Sequence, residues 1–456
     1  MKKIKIIICT AIFITASSVA QEKFNLDGFA DKADKYMKAL VHVGEFSGTV
    51  LVANKGEIIF EEGYDFASKR FNIPNSSDTK YRIGSMTKSF TAICILQLVE
   101  QGKLSLKDPV SNFIKDYPFG ELIKIKNLLS HTSGIKRDLK FDDASKKYDL
   151  DELINMSKVD SLLYKPGTRM TYSNCGYVLL HKILEIVSNE PYESYVVQNV
   201  LKPLGLENTG IEDPLFPPVG LADGFGKGMD RNGNFGVKEI HMNSHGYSDA
   251  VGAMYSTPKD LMKFARQIGK SNVLKPETWS LALDPYLKDG PNGFKWGFGF
   301  NIYQGKKVKV INHNGRTDGF RGGYYQFLED DLTMIILGNN SDAERGAIIN
   351  AFQAIMSDED YYQPKTYESI SIDASKLDDY IGAYKTEDFP FKILKFQDDL
   401  YVKSHGDAPS KLIPFDLDSF YCKYFDLLIR FKRENEVVIS SDWIYKNESV
   451  GAMKTD

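Results

Sequence analysis

The sequence predicts an α+β fold in which an antiparallel sheet is flanked by helices and followed by a small C-terminal β domain. Three β-type runs succeed one another with turn residues between them, at Val308–Ile311, Gly323–Phe327 and Thr333–Leu337. Strands in such a succession usually pair antiparallel. The segment Ser85–Gln101 carries apolar residues on several sides, as a buried central helix does. After Pro364, short β-type runs with polar turns replace this pattern.

The first twenty residues have the composition of a secretory signal peptide. A basic start, Met1–Lys5, precedes the apolar run Ile6–Ala16, and small residues at Ser18 and Ala20 suit cleavage before Gln21. The apolar run is too short to span a bilayer comfortably. We therefore expect an exported protein, periplasmic or secreted, with no stable membrane span after cleavage.

The remaining chain divides into a main domain over residues 21–362 and a small β domain over residues 366–456. The main domain should contain a hairpin formed by Ser47–Ala53 and Glu57–Glu62, and a closing helix over Asp342–Met356. The Gly- and Asn-rich stretch Asp223–Gly236 is predicted to be a long loop.

Charge and cysteine content restrict the class of partner. The 57 Lys and Arg against 61 Asp and Glu give a net charge of -4, which provides no basic surface for nucleic acid. Cys94 and Cys175 lie in apolar helical patterns and are predicted to be core residues. With no C-x-x-C pair and no H-E-x-x-H motif, we expect no metal or other cofactor, and a small molecule or peptide as substrate.

The main candidate for chemistry is Ser85 in the segment Gly84-Ser85-Met86-Thr87-Lys88. Residues three apart share one face of a helix, so the Lys88 amine can reach the Ser85 hydroxyl. If burial lowers the pKa of Lys88, its neutral amine can act as a base toward Ser85. The spacing alone is weak because Ser77, Ser133 and Ser256 repeat it, but only Ser85 opens a long buried helix.

Tyr172 and Asn174 form a second candidate element, just before the apolar helical stretch Tyr177–Val187. Ser173 or Asn174 could simply cap that helix. A phenol near a cationic lysine can lose or share its proton, and Asn174 offers both a donor and an acceptor to a substrate amide.

The third element is His313-Asn314-Gly315-Arg316, which follows a predicted strand. A glycine at a strand edge lets a substrate backbone approach closely. The N–H groups of Arg316 and Ser85 could together form an oxyanion hole. The alternative for His313 is a structural histidine in a loop.

These three elements resemble the motifs of the serine β-lactamase and penicillin-binding-protein superfamily. The resemblance is closest to the class C β-lactamase-like branch, which includes D-Ala-D-Ala carboxypeptidases, D-aminopeptidases and esterases. Further phrases that carry it are Leu128-Leu129-Ser130-His131-Thr132-Ser133-Gly134-Ile135, Pro166-Gly167-Thr168, Lys202-Pro203-Leu204-Gly205-Leu206 and Tyr255-Ser256-Thr257-Pro258. It implies an α/β lobe beside a helical lobe with the active site between them, and it makes the phrase around His131 structural. The tail resembles the small lipocalin-like domains of some relatives.

The resemblance implies a mechanism as well. Ser85 would attack an acyl carbonyl, Lys88 would take its proton, and Tyr172 would protonate the leaving group and then assist deacylation. Asn174 would hold the substrate amide and Lys88. The implied function is a serine hydrolase that cleaves amide or ester bonds of D-residue peptides or small esters.

The third element departs from the β-lactamase pattern, which usually has Lys-Thr-Gly where this chain has His313-Asn314-Gly315. The cation and hydroxyl that meet a β-lactam carboxylate are both missing, although Arg316 or Arg321 could supply a cation. The alternatives to an amide or ester hydrolase are a β-lactamase with weak antibiotic hydrolysis and a catalytically silent binder or sensor.

Overall fold

The computed structural model describes residues 24–455 with several internal gaps. The gaps are residues 144–145, 147, 214, 230–234, 241–248, 288–293, 305–308, 342, 365–366, 387–389, 397, 405–408, 423–426 and 446–447. The predicted signal peptide, residues 1–20, lies outside the described residues. None of the helices within these ranges is long and apolar enough to cross a membrane.

The described helices lie almost entirely in the first three quarters of the chain. Ten are α-helical: α1 Phe29–His42, α2 Thr87–Glu100, α3 Ile125–Leu129, α4 Leu150–Ser157, α5 Asn174–Ser188, α6 Tyr192–Val196, α7 Asp249–Gly252, α8 Pro258–Gln267, α9 Pro276–Ala282 and α10 Arg345–Met356. Short 3-10 turns occupy Gly84–Met86, Val110–Asn112 and Ala374–Tyr380, and a π-helical turn, Val197–Leu201, continues α6.

A seven-stranded antiparallel sheet forms the centre of the main domain. Its strands are β1 Gly48–Asn54, β2 Glu57–Tyr64, β10 Phe294–Trp296, β11 Asn301–Gln304, β12 Lys309–Thr317, β13 Phe320–Phe327 and β14 Leu332–Gly338, in the spatial order β10-β11-β12-β13-β14-β1-β2. The hairpin and the three consecutive strands predicted from the sequence are all present. Short strands outside this sheet are β3 Phe66–Ser68, β4 Ile73–Pro74, β5 Tyr81–Arg82, β6 Gly210–Ile211, β7 Phe225–Met229, β8 Phe235–Glu239 and β9 Met254–Ser256.

Helices cover both faces of the central sheet, which explains why every residue of β1 except the last, Asn54, is buried. Leu51 and Ala53 pack in the core shared with α2, α5 and α8, whereas Val50 and Val52 pack on the other face with α1 and α10. Twelve of the 14 residues of α2 are buried, so this helix is the predicted central one. The mixed fold with an antiparallel sheet between helices is confirmed.

The prediction of a long loop over Asp223–Gly236 is wrong. Phe225–Met229 and Phe235–Glu239 pair as the antiparallel strands β7 and β8. Glycines lower the strand propensity of this segment, yet here they are needed because the backbone is crowded. Gly224, just before β7, lies against Gly319 in the turn between β12 and β13: a Cβ on Gly319 would lie 2.5 Å from the Cα of Gly224.

The C-terminal part is a closed, eight-stranded antiparallel barrel. Its strands are β15 Gly382–Lys385, β16 Pro390–Phe396, β17 Asp399–Ser404, β18 Ser410–Asp416, β19 Ser419–Cys422, β20 Leu427–Glu434, β21 Val437–Tyr445 and β22 Glu448–Lys454. Its apolar core includes Tyr384, Phe391, Phe420 and Phe431. On the main domain, Val43 at the end of α1 packs against Tyr421. This contact is on the α1 face of the sheet, opposite the face covered by α2.

Candidate active site

Ser85 lies in a 3-10 turn that is pressed against the edge of the central sheet. Gly84 has a left-handed φ of 51°, and a Cβ on it would lie 2.8 Å from the carbonyl oxygen of Arg316 on β12. The Thr87 hydroxyl donates to the Gly84 carbonyl at 2.7 Å, which ties the turn to the first residue of α2. Glycine at 84 therefore allows both the backbone conformation and the close approach of Ser85 to β12.

Lys88 lies one turn beyond Ser85 and is completely buried. Its Nζ is 3.1 Å from Ser85 Oγ and donates to the Val251 carbonyl of α7 at 2.8 Å. Burial lowers the pKa of Lys88 well below its ordinary value of 10.5; the Asp138 carboxylate raises this pKa and the Arg137 guanidinium lowers it further. A neutral amine has a lone pair that can accept the Ser85 proton.

Tyr172 faces the same amine, and His131 holds it there. Lys88 Nζ lies 5.2 Å from the centre of the Tyr172 ring. His131 accepts hydrogen bonds from the residues on both sides of this tyrosine. Its carbonyl accepts from the Thr171 N–H at 2.9 Å, and its Nδ1 accepts from the Ser173 N–H at 3.1 Å. The two rings are 4.3 Å apart. His131 is thus structural, as the resemblance implies, but its contacts fix the position of Tyr172.

Asn174 is the first residue of α5, and the cap of this helix is its neighbour. The Ser173 hydroxyl accepts from the Gly176 N–H at 3.1 Å. This leaves the Asn174 side chain for another contact, and its Nδ2 donates to Asp138 Oδ1 at 2.5 Å. The expectation that Asn174 holds Lys88 is not met, because the hydrogen bonds of the Lys88 amine go to Ser85 and Val251.

His313 is a buried neutral histidine on β12. Its Nδ1 lies 2.8 Å from the carbonyl oxygen of Asn314, so Nδ1 carries the hydrogen and Nε2 has the lone pair. Burial, together with the positive charge of Lys88, lowers the pKa of His313 to about 3. The ring packs edge-on against Trp296, which also contacts the rings of His131 and Tyr172. The site therefore has an aromatic wall without a formal charge.

Among the described strands, none pairs with the β12 edge beside Ser85, because β11 pairs with β12 only as far as Asn312. Beyond that point Gly315 packs against the Ile83 carbonyl, and any side chain on Gly315 would overlap this oxygen. The backbone of Arg316 thus borders the Ser85 turn, as an oxyanion donor must. The same close packing explains glycine at 315.

Side chains alternate along β12, so the two residues next to Gly315 point away from this site. The Asn314 side chain lies on the α10 face of the sheet, where its Oδ1 accepts from the Tyr325 hydroxyl. Arg316 is paired with Arg321 in the ladder and shares that face, and Arg321 forms an ion pair with Glu344 at 2.9 Å. Arg321 is thus engaged with Glu344, and the hypothesis that Arg316 or Arg321 supplies a cation to the site stays a prediction.

Of the predicted site residues, the side chains of Ser85, Lys88 and Tyr172 come together, and Asn174 and His313 border them. The backbone of Gly315 and Arg316 lies against the Ser85 turn, and the Asn314 side chain contacts Tyr325 on the opposite face of the sheet. The sequence interpretation missed the roles of Arg137, Asp138 and Trp296. In the described part of the chain, no cluster of three or more His, Cys, Asp or Glu residues could hold a metal ion.

Comparisons with known proteins agree with this geometry. Residues 33–355 match the family model described as "Beta-lactamase". Penicillin-binding protein 4* of Bacillus subtilis (strain 168) is 23% identical over 417 residues, which cover 85% of this chain and 90% of that protein.

Two solved structures share the fold. The octameric penicillin-binding protein homologue from Pyrococcus abyssi superposes with a TM-score of 0.66 at 23% identity, covering 93% of this chain and 99% of that one. The D-amino acid amidase from Ochrobactrum anthropi SV3, complexed with D-phenylalanine, has a TM-score of 0.61 at 22% identity and covers 72% and 99%. The family model spans well over half of the chain, and the chain therefore belongs to the beta-lactamase family of serine hydrolases.

Proposed function

We propose that this protein cleaves amide or ester bonds through an acyl-enzyme on Ser85. The observation that carries the proposal is the fully buried Lys88 amine, whose Nζ lies 3.1 Å from Ser85 Oγ. A desolvated lysine at hydrogen-bond distance from a hydroxyl is the arrangement that general-base activation of a serine requires.

In the acylation step, Ser85 Oγ attacks the carbonyl carbon while its proton passes to Lys88 Nζ. The N–H groups of Ser85 and Arg316 stabilise the oxyanion, a term that typically contributes about 10²–10³ in rate for each donor. Tyr172 then protonates the leaving amine or alcohol as the carbonyl re-forms. Water attacks the acyl-enzyme with the same groups acting in reverse, and the acid product and free Ser85 are released.

The substrates we propose are D-residue peptides and small esters, as opposed to β-lactam antibiotics. The D-amino acid amidase among the structural neighbours supports amide substrates with D-residues. His313 supports the discrimination against β-lactams, because a buried neutral imidazole cannot pair with the carboxylate that such antibiotics carry.

A burst assay with p-nitrophenyl acetate tests the acyl-enzyme. We expect wild type to release a stoichiometric burst of nitrophenol and to gain the mass of one acetyl group in intact-mass spectrometry. Ser85→Ala should show neither. Ser77→Ala is the matched control, because Ser77 has the same S-x-x-K spacing and should keep both signals. A burst of equal size in Ser85→Ala would disprove the proposal.

A further inference from the structure

Two polar side chains of α2 hold the backbone of the short helix α7 beside the site. Lys88 Nζ donates to the Val251 carbonyl at 2.8 Å. One turn further along α2, the Thr91 hydroxyl donates to the Ala250 carbonyl at 2.8 Å. Residues three apart lie on the same face of a helix, so Lys88 and Thr91 bind two consecutive carbonyl groups of α7 from one face of α2.

The position of α7 depends on these outside contacts. The helix spans only Asp249–Gly252, four residues, and a single turn is too short to be stabilised by its own hydrogen bonds. Just after it, the Met254 N–H donates to the Thr87 hydroxyl at 3.3 Å. The Thr91 hydroxyl therefore ties the first half of α7 to α2, and the Thr87 hydroxyl ties the chain that follows.

The Tyr192 hydroxyl orients the hydroxyl of Thr91. The two oxygens are 2.8 Å apart, and both side chains are buried. A threonine hydroxyl has one hydrogen, and the Ala250 carbonyl at 2.8 Å is closer to it than the Thr87 carbonyl at 3.3 Å. When Thr91 donates to Ala250, its oxygen can accept from the phenol. In such a chain, each hydrogen bond polarises and strengthens the next.

The Val251 carbonyl decides how the Lys88 amine is turned. A neutral amine has two N–H bonds and one lone pair. With one N–H fixed on Val251, the lone pair can face the Ser85 hydroxyl, whose oxygen is 3.1 Å from Nζ. A shift of α7 would move this anchor, and misplacing a reacting group by about 1 Å can cost about 10²-fold in rate.

We propose that Thr91 and Tyr192 are positioning residues whose chain of hydroxyl groups fixes α7. Through α7, the Val251 carbonyl orients the Lys88 amine toward Ser85. This inference rests on the proposed function and extends it to two residues outside the reacting groups. Because both act through the backbone of α7, we expect them to control the rate of acylation and not the affinity for the substrate.

Stopped-flow bursts with p-nitrophenyl acetate at several concentrations separate acylation rate from substrate affinity. Thr91→Val replaces the hydroxyl by a methyl group and should lower the limiting burst rate by about 10–100-fold. The concentration that gives half of this rate should stay within about 2-fold of wild type. Thr91→Ser keeps the hydroxyl and should keep a limiting rate within about 3-fold of wild type. A wild-type rate in Thr91→Val, or an equal loss in Thr91→Ser, would overturn the inference.

Ser89 offers a matched control on the same helix. Its hydroxyl also joins a buried phenol to a backbone carbonyl, since it lies 2.7 Å from the Tyr324 hydroxyl and donates to the Gly299 carbonyl at 2.8 Å. Ser89→Ala should lower the melting temperature about as much as Thr91→Val, because each leaves two buried polar groups without a partner. Its limiting burst rate should stay within about 3-fold of wild type. Equal losses of rate in the two variants would refute a specific role of Thr91.

Tyr192→Phe tests the same chain with a smaller change and decides the question if Thr91→Val does not fold. It removes only the phenol oxygen, and Thr91 can still donate to Ala250. We therefore expect a loss of about 3–10-fold in the limiting burst rate, again with unchanged substrate affinity. An unchanged rate in a folded Tyr192→Phe would refute the chain.

The outcomes also separate this inference from the proposed function. If wild type shows a burst and a Ser85 adduct but Thr91→Val acylates at the wild-type rate, the acyl-enzyme stands and the role of Thr91 is refuted. If wild type shows neither a burst nor an adduct, the proposed function fails, and the inference fails with it.

Discussion

Replacing His313 by glutamine should make the protein less sensitive to acid. In the folded protein, burial and the charge of Lys88 lower the pKa of His313 to about 3, whereas an exposed histidine titrates near 6.5. Between these two values the unfolded chain binds a proton that the folded chain does not. The free energy of unfolding therefore falls as the pH falls from about 6.5 toward 3.

The size of the effect follows from the two pKa values. Each pH unit inside this window costs about 1.4 kcal/mol, so His313 alone should account for a loss of about 3 kcal/mol between pH 7 and pH 4. That is a substantial part of the 5–15 kcal/mol that typically stabilises a folded domain. His131, whose pKa is also lowered by burial, should add to the acid sensitivity in wild type and variant alike.

Urea unfolding at pH 7 and pH 4, followed by tryptophan fluorescence, measures this loss. Trp296 contacts His313, so its fluorescence reports on the region around this histidine. We expect wild type to lose about 3 kcal/mol more than His313→Gln over this range. His42→Gln, at the exposed end of α1, is the matched control and should behave as wild type. Equal losses in wild type and His313→Gln would refute a neutral, buried His313.

Three further substitutions test the site. Lys88→Met removes the base and should therefore lower the burst rate by about 10²–10⁴. It should not lower the melting temperature, because it also removes a buried amine, whose burial is costly. Gly315→Ala should cost about 1–3 kcal/mol in a urea titration and abolish the burst, since its methyl group would overlap the Ile83 carbonyl. Arg137→Gln removes a cation that lowers the pKa of Lys88. The acid limb of its burst rate, measured by stopped flow, should therefore move to higher pH; a shift to lower pH would contradict the assignment of Lys88 as base.

The pairing of Ser85 with Lys88 could be predicted because it is local. Three residues of helix bring the two groups to one face, and the apolar sequence of α2 indicates that the amine will be buried. Both facts follow from a dozen consecutive residues. The central sheet was predictable for a similar reason, since its strands β12, β13 and β14 are consecutive in sequence and joined by short turns.

The contacts of His131 and Asp138 join residues that are more than 30 positions apart in the sequence, so a local sequence pattern cannot predict them. His131 adopts a left-handed φ of 56°, a conformation that is uncommon for any residue other than glycine and is imposed by its bonds to the Tyr172 segment. Asp138 reaches Asn174 only because α5 begins beside it. The opposite faces of His313 and Asn314, by contrast, could have been inferred from strand alternation alone.

The site contains few groups that carry an uncompensated charge. Lys88 and His313 are both held toward their neutral forms by burial, and Asp138 is compensated by Arg137. A pocket of this kind gains little from a charged group on the substrate, since removing a charge from water without a paired partner is expensive. Recognition of a substrate by such a pocket then depends on directional hydrogen bonds to neutral groups.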